Sequence, residues 1–295
     1  MIYTVYLPLI AVLILAGIAP ALGRWLSPPV ATRVLGAVAL LAATATVTTL
    51  ALLVIGGGLR PIALAGWGFD PDTARALLAA DSVPWPLGAA ATMLLAIAVV
   101  RARRLIGGER AALNDLRRVV AGHDGELLVL DDERPYAYAV PSGPGTIIVS
   151  TAMLSTLDPA ERRAMLAHER AHLSGHHHRY RLASRLAAAV NPALRQMDRQ
   201  VSFQIERWAD EHAANATGRP VAARSLARAA LAGPPGSPGE LAYAEHAVAS
   251  RVRALSTGPV PDRWIAALPS LVIAAIAMVA LADAAGACCR LLAML

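Results

Sequence analysis

His168-Glu169-Arg170-Ala171-His172 sets two imidazoles four residues apart with a carboxylate beside them. On a helix, residues at that spacing lie one turn apart on one face. A neutral imidazole nitrogen binds Zn²⁺ at about 2.0–2.1 Å, and a catalytic zinc takes three protein ligands and leaves its fourth position to water. The metal lowers the pKa of that water to about 7, and a neighbouring glutamate can take its proton as general base. The spacing therefore points to metal-assisted hydrolysis, with His168 and His172 as ligands, Glu169 as base and one Zn²⁺ per chain.

The surrounding residues supply the helix. Asp158 is an N-cap with Glu161 three residues on, as in a capping box, Pro159 follows the cap, and no glycine interrupts the run before Gly175. Two candidates compete for the third ligand. His168 to His178 fits H-E-x-x-H-x-x-G-x-x-H, the metzincin pattern, with Gly175 turning the chain and His178 as ligand, although His176-His177-His178 meets many spacings by accident. The rival is Glu206, with Asp210 one turn later on the same helix face. A carboxylate completes a His₂Glu site, and a second carboxylate can fix the tautomer of a ligating imidazole. Glu206 is favoured because it gives Asp210 a role.

The rest of the chain must bring these residues to a defined place. Of 295 residues 56% are hydrophobic and 16% charged, too apolar for an ordinary soluble domain. Residues 1–23, 34–59 and 82–100 carry no charge, and a fourth apolar run spans 264–281. Each is near or above the ~20 residues that cross a bilayer core of about 30 Å. The first run lacks a basic flank before it and reads as a retained span. All 27 basic residues are arginine, and those nearest the spans are Arg24, Arg33, Arg101, Arg103, Arg104 and Arg263. The positive-inside rule then puts both termini and the 60–81 loop outside, and residues of about 101–263 inside. The basic pI reflects those flanks and comes with no aromatic-rich basic motif, so direct nucleic-acid binding is not expected. Cys288 and Cys289, the two cysteines, read as small residues at the end of the last span and exclude a cysteine-held zinc framework.

Between the third and fourth runs, Leu127–Leu130, Tyr136–Val140 and Thr146–Val149 are strand candidates separated by turn residues. An exposed edge strand there, at Ala137-Tyr138-Ala139, could pair with an extended peptide substrate. Helical segments follow at 181–195, Met197–Ala214 and Leu241–Leu255, the last with Glu245, Arg251 and Arg253 facing outward, and 233–239 is a Gly/Pro loop.

Ile147–Leu154, Leu157–Glu161 and Leu166–Leu173, together with Glu206-Arg207-Trp208-Ala209-Asp210, Ala137-Tyr138-Ala139 and Arg251-Val252-Arg253-Ala254-Leu255, resemble integral-membrane gluzincins. The similarity covers roughly residues 120–256 and extends to HtpX-type proteases and, more closely, to BlaR/MecR-type peptidases. It implies His168, His172 and Glu206 as zinc ligands, Glu169 as catalytic base and Asp210 behind a ligand imidazole. It also implies a protein substrate, in the BlaR/MecR case a cytoplasmic transcriptional repressor, cut when an external sensor is occupied. The chain ends about a dozen residues after the fourth run, so the C-terminal penicillin-binding sensor of that family is not expected here. A membrane-protein quality-control protease and a non-catalytic adaptor that keeps a zinc fold are the alternatives, and retention of Glu169 argues against the adaptor.

The expectation is a mainly α membrane protein with four transmembrane helices and a cytoplasmic α+β zincin-like metallopeptidase domain. Residues 1–104 hold three spans (about 1–23, 34–59 and 82–100), 105–258 the peptidase, 264–284 the fourth span and 285–295 a short external tail. The lipid bilayer and a protein substrate are the partners; the oligomeric state is left open. A reporter that is active only outside the cytoplasm should work when fused after Asp70 or Leu295 and stay silent after Gly122 or Ser237. Activity at Gly122 would move the catalytic segment to the other side.

Overall fold

The computed structural model describes residues 2–59, 83–232, 238–259, 265 and 268–293. The expected 60–81 loop, most of the Gly/Pro loop and the first residues of the fourth apolar run lie outside these, as do the side chains of Cys288 and Cys289. The described chain is mostly helical. In order come α1 (Ile2–Trp25), α2 (Pro28–Val54) with a π-helical turn at Ile55–Leu59, and α3 (Trp85–Val119). A small sheet of β1 (Leu127–Leu130), β2 (Ala137–Val140) and β3 (Thr146–Ser150) follows. Then come α4 (Thr151–Thr156), α5 (Pro159–Ser174), α6 (His177–Val190), α7 (Arg195–Thr217), α8 (Arg219–Ala232), α9 (Pro238–Thr257) and α10 (Leu268–Ala293).

All three strands form where alternation and turn residues place them. Their order is β1-β3-β2, with β1 parallel and β2 antiparallel to β3. Central β3 is buried throughout, and β2 is an edge strand packed beside α5. The short helix α4 and the helix α8 add to the elements expected from the sequence.

Helix α5 begins with the expected capping box. Asp158 accepts hydrogen bonds from the Ala160 and Glu161 amides at 2.8 Å each, and Glu161 accepts from the Asp158 amide at 3.1 Å. The Glu161 side chain is fully buried, with Arg228 of α8 at 2.7 Å. One residue thus caps α5 and ties it to α8.

Among the described residues two segments are long and apolar enough to cross a bilayer, Pro28–Gly57 and Trp85–Val119; α1 and α10 contain shorter apolar runs, Leu9–Ala19 and Leu268–Ala280. At 1.5 Å per residue the 35 residues of α3 span about 52 Å, so its charged second half extends beyond any 30 Å apolar layer.

The apolar helices do not stand apart from the rest. Leu15 and Leu22 of α1, Leu26 of the link and Leu35, Val38 and Ala42 of α2 share one buried core with Ala187 of α6, Met197, Val201 and Ile205 of α7 and Ala274 of α10. Gln204 of α7 donates to the Gly23 carbonyl at 2.9 Å, and Asn191 donates to Thr46 in the middle of α2 at 3.1 Å. A Cβ at Gly23 would sit 2.6 Å from the Gln204 amide nitrogen, so a larger residue there would displace the side chain that ties α7 to α1. An apolar run reads the same in sequence whether it faces lipid or protein, which is why this shared core was not foreseen.

Candidate metal centre

His168 and His172 lie on α5, and Glu206 comes to them from α7. The His168 and His172 Nε2 atoms are 3.2 Å apart. Glu206 places Oε2 3.5 Å from His168 Nε2 and Oε1 3.8 Å from His172 Nε2. A tetrahedral ion about 2.0–2.1 Å from each donor would hold the donors about 3.3–3.4 Å apart, close to this triangle. Two imidazole nitrogens and a carboxylate oxygen are also a fitting donor set for zinc. These three form the group that could hold a metal ion among the described residues.

The remote imidazole nitrogens are also engaged. His168 Nδ1 lies 3.1 Å from Asp210 Oδ1, and His172 Nδ1 lies 2.9 Å from His177 Nδ1. If both Nε2 lone pairs face the metal position, both Nδ1 atoms carry protons, which His168 donates to Asp210 and His172 to His177. His177 is buried, with its ring packed on Trp208 at 4.6 Å between centroids. The turn before α6 is made by His176, which takes positive φ (50°), whereas Gly175 is right-handed at φ −80°. Gly175 does not turn the chain as expected. It is needed for room, because a Cβ there would sit 2.4 Å from His177 Nε2.

Arginines balance the charge. Arg251 of α9 forms a two-pronged pair with Asp210 at 2.7 Å through both nitrogens and lies 3.3 Å from Glu206. Arg181 of α6 donates to Glu206 at 2.8 Å. Burial pushes both carboxyls up, but for Glu206 the hydrogen bond to His168 and the Arg251 charge overcome it and hold the group well below the usual range. Asp210 is lowered too, burial being outweighed by hydrogen bonds to Arg251 and His168. Burial likewise opposes a charge on His168, yet hydrogen bonds to Asp210 and Glu206 raise it to about 10. Burial lowers His172 to about 3 and His177 to about 4. Two ionised carboxylates thus favour positive charge at His168, while His172 stays neutral. The field that holds a proton on His168 would equally favour a divalent cation in that proton's place, leaving the imidazole neutral as a ligand.

Glu169 is 9% exposed, and burial raises its carboxyl to about 7. It accepts a hydrogen bond from the Ala139 amide of β2. The Tyr136 carbonyl points to β3, where it accepts from Ser150 at 3.0 Å. Backbone groups alternate along a strand, so Ala137 and Ala139 turn theirs to the open edge and Tyr138 turns its own to β3. A cavity of about 230 Å³ opens beside this edge, lined by His168, Glu169, Glu206, Asp210 and Arg251 on one side and by Ala137, Met153, Met165, Leu226 and Val248 on the other.

His178 is exposed on α6 with its ring against His176, outside the metal-competent group. His176 and His212 are exposed, and Tyr180 packs towards Trp208. None of these lines the cavity, and the His246 side chain is outside the described set. Arg251 was expected to face solvent; it turns inward because two carboxylates one turn apart on α7 need a cation. The partners that sequence reasoning did not single out are His177 and Arg181. No local signal separates His177 from its histidine neighbours.

Replacing Asp210 with Asn should weaken zinc binding on the order of 10–100-fold, as loss of a group that orients a ligand imidazole does. Gly175→Ala should weaken it as well by pushing His177 away from His172, while His178→Ala leaves affinity unchanged. Competition titration with a chromophoric chelator reads all three. Equal affinity in Asp210→Asn and the parent chain would remove Asp210 from the site.

Residues 109–190 match the model of peptidase family M48, a stretch that includes both histidines and Glu169 but ends before Glu206, Asp210 and Arg251. No curated protein and no solved structure matches the chain. M48 peptidases are zinc metallopeptidases, and the match supports a hydrolase of peptide bonds of the gluzincin type.

Proposed function

We propose that the chain is a membrane-embedded zinc metalloendopeptidase that cuts a protein substrate at the cytoplasmic face, in regulated proteolysis of a transcriptional repressor. The observation that carries the catalytic part is the convergence of His168, His172 and Glu206, with His168, Glu206 and Glu169 lining one cavity. His168, His172 and Glu206 would hold the metal, which when bound polarises the scissile carbonyl and acidifies its water. Glu169 takes the proton from the attacking water and returns it to the leaving amine; burial places its carboxyl near neutrality, where one group can do both. Asp210 and His177 keep the ligand imidazoles turned to the metal. The open edge of β2 at Ala137 offers main-chain partners to an extended substrate, and the alanine- and methionine-lined wall accepts an apolar side chain.

The membrane arrangement proposed is four spans, 1–23, 34–59, 82–100 and 264–284, with both termini outside and the peptidase segment, 105–258, inside. The two long apolar segments and the arginine flanks support it. Regulation is supported by the contacts between α2 and the site. The Arg33 guanidinium of α2 lies 5.2 Å from the Trp208 ring, Trp208 packs on His177, and His177 meets His172. A shift of α2 therefore has a packed route to a ligand imidazole. The resemblance to BlaR/MecR-type peptidases favours a repressor as substrate, whereas a quality-control protease would use the same residues.

Glu169→Gln should keep zinc at the parent stoichiometry and lose roughly 10²–10⁴-fold in hydrolysis of a peptide library in detergent. A repressor encoded beside this gene should be cut in cells by the parent chain and remain whole with Glu169→Gln. Full activity of Glu169→Gln would end the hydrolytic mechanism. Turnover of unrelated membrane proteins with the repressor intact would favour quality control.

A further inference from the structure

The structure assigns a second site, a basin for the phosphate of an anionic phospholipid, where α3 meets α6 and α7; this rests on the membrane reading above. The basin has a volume of about 690 Å³ and is lined by Arg101 and Arg104 of α3, Arg185 of α6, and Arg195 and Arg199 of α7. Arg185 is paired with Glu109, and Asp198 at the basin floor accepts a hydrogen bond from Ser184 at 2.6 Å. Arg101, Arg104, Arg195 and Arg199 make no hydrogen bond or ion pair with another described residue. Guanidinium groups from three helices thus converge with two nearby carboxylates, both already engaged. Arg195 and Arg199 also sit at the start of α7, where the helix dipole disfavours cations unless an anion lies close.

Position along α3 selects lipid over a soluble anion. Met93, Leu94, Ile97, Val99 and Val100 form an exposed apolar stretch that ends where Arg101 begins. Acyl chains against that stretch would carry their phosphate to Arg101 and Arg104, the depth at which basic pockets between spans take anionic headgroups. Planar guanidinium donors suit phosphate oxygens in pairs. The basin lies two to three turns along α7 from Glu206, so a headgroup there would brace the helix that carries the carboxylate ligand.

Native mass spectrometry of the full chain in neutral detergent tests the site with phosphatidylglycerol, phosphatidylcholine and inorganic phosphate as probes. Saturable phosphatidylglycerol binding at least tenfold tighter than that of phosphatidylcholine is expected. Arg104→Ala and Arg199→Ala should each weaken it about fivefold, and the pair about 25-fold, from ~1 kcal/mol per basic residue at an anionic surface. Zinc content checks that variants fold, and if the pair does not, Arg104→Gln alone carries the comparison. Equal binding of both lipids, undiminished phosphatidylglycerol binding in the variants, or full displacement by millimolar inorganic phosphate would each overturn the assignment. Alkaline extraction of membranes separates the two readings: a chain released to the soluble fraction fails the membrane reading, and one retained without lipid discrimination fails only this site.

Discussion

Helix α7 is gripped on both faces, and the candidate metal centre depends on that grip. One face places Met197, Val201 and Ile205 in the core shared with α1 and α2, and the other carries Glu206 and Asp210 to the histidines of α5. A rotation of α7 by part of a turn would expose its apolar face and withdraw both carboxylates together. The ligand geometry is therefore fixed by burial of residues that never touch the site, and the apolar helices take part in holding it.

Electrostatics gives the same helix a reason to be fastened. A buried carboxylate, Asp210, and a half-buried one, Glu206, stand one turn apart and repel, and each would take up a proton if left alone in a low-dielectric setting. Arg251 from α9 and Arg181 from α6 hold them ionised, and His168 shares their field. Four helices thus meet at one charge cluster. Truncating Arg251 would leave the buried Asp210 charge without its cation, a larger loss than the pair's own net contribution.

The parts legible in sequence were those written in local chemistry. The capping box at Asp158 and Glu161 and the three strands needed only neighbours within a few residues to be read. Glu206 and Asp210 stand out in sequence because residues four apart on a helix share a face and because Glu206-Arg207-Trp208-Ala209-Asp210 resembles a gluzincin motif, and the fold sets both beside His168. What was missed depends on distant chain. Arg251 looks like a solvent-facing arginine until the carboxylates on α7 are set opposite it. His177 is one of three adjacent histidines, and only the left-handed backbone at His176 decides which of them turns inward. The apolar run of α2 reads as a span, and nothing local says that α6 and α7 would join α1, α3 and α10 in covering nearly half of it.

The central claim is that the third protein bond to zinc comes from Glu206 on α7. X-ray absorption fine structure at the zinc edge of the zinc-loaded full chain measures that ligand set directly. The expected shell is two imidazole rings with the remaining light donors oxygen, at about 2.0–2.1 Å, and no sulfur. A shell of three imidazoles would contradict it and move the third bond to a histidine such as His178.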